Sequence, residues 1–155
     1  MVFMVELPIA SSISFASVIG LNTKVSHNLS TGEYNIRRAQ CEKGLDLLAE
    51  RFGIDRPFRN VTKKMLDETK DELGALLHKR YSYVVEEIDR VLEAVGALKE
   101  NNLEVLGKLM YRTHKGLSEK YEVSCPELDF LAELAETEPQ ILGARTMGGD
   151  FRAVH

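Results

Sequence analysis

Four histidines, two cysteines and a glycine pair are the residues of this sequence whose chemistry would be most telling if their spacing brought them together. His27, His78, His114 and His155 share no ligand spacing such as i, i+4 along a helix, and neither Cys41 nor Cys125 has a histidine at such a distance. By that test the histidines read as surface or helix-flank residues. No Gly-x-x-x-x-Gly-Lys-Ser/Thr run occurs, and the pair Gly148-Gly149 has turn chemistry as its default explanation. Spacing alone therefore singles out no catalytic residue and no metal site.

The elements that would hold these residues are mostly helical. An apolar, β-branched run from Val18 to Thr23 reads as a strand, and Ser30 or Thr31 with Glu33 behind it opens a helix that runs to Gly53. Ile36, Ala39, Leu45, Leu48 and Phe52 fall on its apolar stripe. After a connector, 54–61, that carries Pro57, Thr62 caps a short helix containing Met65 and Leu66. A second long helix follows, with Leu77, Tyr81, Val84, Val85, Ile88, Val91, Leu92, Val95 and Leu98 as its stripe and Glu86 four residues before Arg90 on an exposed flank. Asn101 and Asn102 break it. Leu103, Leu106, Leu109, Met110, Thr113 and Leu117 form a third stripe, and the three long segments are expected to bury one another's apolar faces. Ser124 and Glu127 read as a capping box around Pro126, opening a helix with Leu128, Leu131 and Leu134 inward. Ile141 to Phe151 reads as a strand running into a glycine turn.

Composition bounds the answer without naming it. With 155 residues, 44% of them hydrophobic, the chain is long enough to bury a core without a disulfide framework or structural metal. A formal net charge of −4 gives no basic field for phosphates, so nucleic acid is not an expected partner. Two distant cysteines without a C-x-x-C fit a reducing, cytoplasmic setting. Glu6 is the only formal charge in the first 21 residues, but it and Pro8, Ser11, Ser12, Ser14 and Ser17 interrupt the apolar residues and the first lysine is Lys24, so no signal peptide or membrane anchor is expected.

Three segments carry more than composition. Ser26-His27-Asn28-Leu29-Ser30-Thr31-Gly32-Glu33-Tyr34-Asn35-Ile36-Arg37-Arg38-Ala39-Gln40-Cys41-Glu42 resembles the S/H-x-L…S/G-x-Y-N-x-R-R-x-x-C-E segment of galactokinases. Tyr121-Glu122-Val123-Ser124-Cys125-Pro126-Glu127-Leu128-Asp129 is similar to their Y-E-V-S-C-P-E-L-D signature, and Gly143-Ala144-Arg145-Thr146-Met147-Gly148-Gly149 resembles the start of their third glycine-rich motif. The likeness runs from about Val18 to Phe151. It implies an α+β fold: a helix-rich GHMP-kinase C-terminal-type domain with a few strands at the termini. Within 1–155 it implies an apolar strand-like lead over 1–21, a helical body over 31–138 and the start of the third motif over 141–151.

The resemblance also implies ATP-dependent phosphorylation of galactose to galactose 1-phosphate, with ATP and Mg2+ as cofactors. Such chemistry rests on positioning and electrostatics. Tyr34 stands where the family's tyrosine contacts the sugar, and its phenol can donate to a sugar hydroxyl. Gly148 and Gly149 stand where backbone comes close to the nucleotide-phosphate loop, which only small residues permit. Arg37 and Arg38 read as helix-surface ion-pairing residues.

Several family features are missing from the sequence. There is no G-E-H-x-D segment and no P-x-G-x-G-L-S-S-S loop; Pro8-Ile9-Ala10-Ser11-Ser12 has no glycine to expose backbone donors. Phe15-Ala16-Ser17 matches the tail of the family's M-D-Q-F-A-S, but Ile13 occupies the catalytic aspartate's position and cannot take a proton. Asp150 interrupts the third motif. The expectation is a fragment, split frame or degraded gene that is inactive alone. The alternatives are a non-catalytic galactose-binding polypeptide and a helical fragment complementing a separately encoded N-terminal half.

Overall fold

The computed structural model describes residues 2–6, 17–21, 31–55 and 58–147, and of 2–6 and 31–38 the backbone alone. The chain divides into two compact units, one made of Ser26–Val91 and the other of Met1–Val25 with Leu92–His155.

The first unit is helical. Helix α1 (Thr31–Phe52) agrees with the predicted span, and a single 3-10 turn (Phe58–Asn60) leads to α2 (Lys63–Glu68). Thr62 caps α2 as its sequence position requires, its side chain accepting from the Met65 amide. Helix α3 (Lys70–Lys99), whose residues from Leu92 on belong to the second unit, is broken near its start, where Gly74 sits at φ 75°, a left-handed conformation that side chains resist. Leu48, Val61, Leu66, Leu73, Tyr81 and Val85 form the buried core. Tyr81 is its centre: fully buried, its ring meets Phe58 edge-on at 4.9 Å, and its hydroxyl lies 2.7 Å from the Cys41 carbonyl and 2.9 Å from that of Gln40.

Two readings of the stripes are corrected here. Ala39 is exposed, and on α3 the apolar stripe outruns the core: Val85 is its last member in the buried cluster, while Val91, Leu92, Val95 and Leu98 are exposed, from 43% (Val95) to 68% (Leu92). Periodicity records which residues share a face, but not how far along a 30-residue helix a partner extends. Arg90, expected on an exposed flank, is only 7% exposed and pairs with the Glu86 and Glu87 carboxylates.

The second unit places helices on a small sheet. Strands β1 (Val2–Glu6), β2 (Ser17–Leu21) and β3 (Ile141–Thr146) form an antiparallel sheet in the order β2-β1-β3. Val2 pairs with Leu21 on one side and with Thr146 on the other, so the two ends of the sequence meet in one sheet. Helix α4 (Leu103–Glu119) begins at Asn102, whose side chain accepts from the Val105 amide, after Asn101 has turned the chain at φ 54°. Leu109 and Thr113 are buried, as the third stripe predicts, and within this unit α4 packs chiefly on β3 and also on α5 (Pro126–Thr137). The glycines explain this preference, because Gly107 of α4 and Gly143 of β3 are both buried where the helix and strand backbones touch. Leu128, Ala135 and Ala144 centre the small core of this unit, with Tyr111, Leu131 and Ile141 against them.

Candidate functional site

The described part of the second unit has one polar cluster built with several partners, and it starts from the beginning of α5. Pro126 occupies the first turn, where its missing N–H costs nothing, and the Cys125 carbonyl accepts from the amides of Leu128 and Asp129. The predicted capping box does not form. Cys125 is the N-cap and makes no side-chain cap bond, while the Ser124 hydroxyl donates to Asp129 Oδ1 at 2.6 Å. An ionised carboxylate is a stronger partner for a hydroxyl than a backbone amide, and the charge-assisted bond wins.

Asp129 gathers two further donors. Ser118 Oγ donates to Oδ2 at 2.8 Å, and His114 Nε2 lies 3.1 Å from Oδ1. His114 and Ser118 are four residues apart on α4, so the helix presents both to the same carboxylate. His114 is only 6% exposed. Its other nitrogen, Nδ1, accepts from the Thr146 backbone N–H at 3.2 Å, with Thr146 Oγ1 at 3.0 Å. An Nδ1 that accepts and an Nε2 that donates define a neutral imidazole with its proton on Nε2. One ring thus joins α4, the first turn of α5 and the last residue of β3.

An open groove of about 360 Å³ runs over this cluster between α4 and α5, lined by His114, Ser118 and Asp129 together with Tyr111, Lys115 and Glu133 among others. Burial pushes the Tyr111 phenol up, with the Glu136 charge adding to it. Burial likewise raises the Cys125 thiol, so the cysteine is not activated as a nucleophile.

The chemistry of this arrangement is structural. In sequence of contact, Asp129, His114 and Thr146 Oγ1 resemble a nucleophile relay, but Nδ1 has a single lone pair and the Thr146 N–H also directs itself there. Thr146 does not line the groove. Both serine hydroxyls donate to the carboxylate rather than engaging the imidazole. Among the described residues no group of three His, Cys, Asp or Glu side chains is placed to hold a metal ion.

Of the residues singled out from sequence, Tyr34 lies in the first turns of α1, with its side chain outside the described residues, and Gly148 and Gly149 lie outside them altogether. Sequence reasoning missed His114 and Asp129. It read His114 as a helix-flank residue, yet position 114 follows Met110 by four on the third stripe, and a histidine on a buried stripe requires a polar partner.

No helix among the described residues is long and apolar enough to cross a membrane. No family model matches the chain. Among curated proteins it is 44% identical over 131 residues to the galactokinase of Thermotoga petrophila, a match covering 84% of this chain and 35% of the relative. It is 42% identical over 139 residues to the galactokinase of Haemophilus influenzae, covering 87% and 35%. The crystal structure of Lactococcus lactis galactokinase complexed with galactose superposes with a TM-score of 0.72 at 28% identity, covering 96% of this chain and 40% of that one. The chain thus spans about a third of the length of the curated relatives it matches. Sequence and fold agree over most of its residues, so this chain is similar throughout most of its length to about a third of a galactokinase.

Proposed function

We propose that this chain is a galactokinase-type polypeptide of galactose metabolism, contributing to transfer of the ATP γ-phosphoryl group to galactose, and that its 155 residues do not turn over by themselves. The observation that carries the reading is the combination of 42–44% identity to galactokinases with the absence, in this sequence, of the family's phosphate loop and of its aspartate, whose position holds Ile13. In this reading residues 1–155 form part of a GHMP-kinase C-terminal domain. Tyr34 contacts the sugar, and Gly148 and Gly149 support the nucleotide-phosphate loop. ATP and Mg2+ are held largely by family residues absent from these 155; in the alternative reading a separately encoded N-terminal half supplies them. Cys41 and Cys125, neither of them in a disulfide, fit a cytoplasmic setting.

The test is a coupled assay of galactose-dependent ADP formation by the isolated chain, alone and mixed with the non-matching region of the Thermotoga petrophila galactokinase. No turnover alone and measurable turnover on mixing is the expected result. Turnover by the isolated chain would overturn the inactive reading, and none in the mixture would overturn the complementing one.

A second reading is a non-catalytic galactose-binding polypeptide, which the galactose complex of the Lactococcus lactis relative favours. Calorimetry with galactose separates the two. The loss of the G-E-H-x-D contacts predicts no measurable heat, because orienting a sugar needs several convergent polar groups.

A further inference from the structure

We propose that His114 is a positioning residue for the end of β3, acting as a neutral, single-tautomer bridge that fixes where the strand hands over to Met147 and the glycine pair. The importance of that segment rests on the galactokinase reading; the bridge itself does not. Thr146 is the last residue of β3, and its N–H is held by His114 Nδ1 at 3.2 Å. The ring is fixed from its other side by Asp129, and Asp129 in turn by Ser118 and Ser124. Each link is oriented by the next, as a positioning group requires.

The bridge depends on protonation in a specific way. A second proton on the ring goes to Nδ1 and turns the acceptor for Thr146 into a donor facing a donor. Thr146 Oγ1, at 3.0 Å, then accepts from Nδ1–H, so the side chain keeps hold of the ring while the backbone amide is released. Asp129 is the ionisable group within hydrogen-bond distance of the ring among the described residues. Tyr111, Arg112, Lys115 and Glu119 of α4 and Glu133 and Glu136 of α5 line the same groove, and Arg145 precedes Thr146 on β3.

Two measurements on the intact 155-residue chain test this. Ring nitrogen shifts at neutral pH are expected to show His114 with Nε2 protonated and Nδ1 as an acceptor. The opposite tautomer would overturn the proposal, and no variant is needed. Amide exchange at Thr146, corrected for intrinsic pH dependence, is expected to quicken about five- to tenfold as the ring shifts report the second proton, the size of one ordinary hydrogen bond. In His114→Gln, which cannot titrate, that step should vanish while the rest of β3 stays protected. Thr146 exchange indifferent to the His114 charge would overturn the bridge. Neither readout uses kinase activity, so the galactokinase reading and the bridge stand or fall separately.

Discussion

Gly107 of α4 and Gly143 of β3 meet backbone to backbone. A β-carbon on Gly143 would fall on the Cα, carbonyl carbon and oxygen of Gly107, and one on Gly107 would fall on the carbonyl of Leu142. The helix lies on the strand at a separation no side chain permits, which is why α4 belongs to the sheet of this unit.

Gly107→Ala and Gly143→Ala should therefore each cost about 3 kcal/mol, the upper part of the overpacking range, because the obstructing atoms are main chain and cannot rotate away. Gly96→Ala on α3 is the control: a β-carbon there meets nothing within 4 Å, and the helical gain should stabilise by about 0.5–1 kcal/mol. Urea midpoints at constant slope read both signs.

In the other unit, Tyr81 lies over Gly44 of α1 as tightly, with ring atoms 2.6 Å from where a β-carbon would stand. Tyr81→Phe keeps the ring and loses the bond to the helix carbonyls, costing about 1 kcal/mol. Gly44→Ala should cost more, about 2–3 kcal/mol, by displacing the same ring from the core. A ranking with Tyr81→Phe the worse of the two would contradict this packing.

Asp129→Asn should destabilise the chain by about 2 kcal/mol, because three donors lose a charged acceptor and the new amide adds donors among them. Ser118→Ala removes only one of the three and should cost about half as much. Thermal unfolding of both variants beside the parent checks the ratio.

Alkaline pH should weaken the fold. Burial raises Cys125, partly offset by the Leu128 amide, and burial followed by the Glu136 charge raises Tyr111. Both groups hold a proton more tightly folded than unfolded, so their contribution is present below the ordinary thiol and phenol ranges and lost as pH rises through the raised values. Urea midpoints should fall above roughly pH 8.5, the ordinary thiol value, and Cys125→Ala should delay the fall toward the phenol range. A midpoint constant to pH 10 would argue against burial of the thiol.

Much of this molecule was written in local sequence. The spans of α1 and α3, the Thr62 cap, the Asn101-Asn102 break and Pro126 at the start of α5 follow from periodicity and backbone preference, which act over a few residues. The family likeness was legible for the same reason, since its motifs are contiguous. What lay beyond the sequence was every choice between partners. Ser124 had a helix amide and the Asp129 carboxylate both within reach five residues or fewer away, and the backbone path into α5 decided between them. His114 looked like a flank residue until β3, thirty-two positions onward, delivered the Thr146 amide to its ring. The stripe on α3 promised burial along its whole length, yet Leu92, Val95 and Leu98 are exposed because a helix outlasts its core when packing, not periodicity, sets the core's edge.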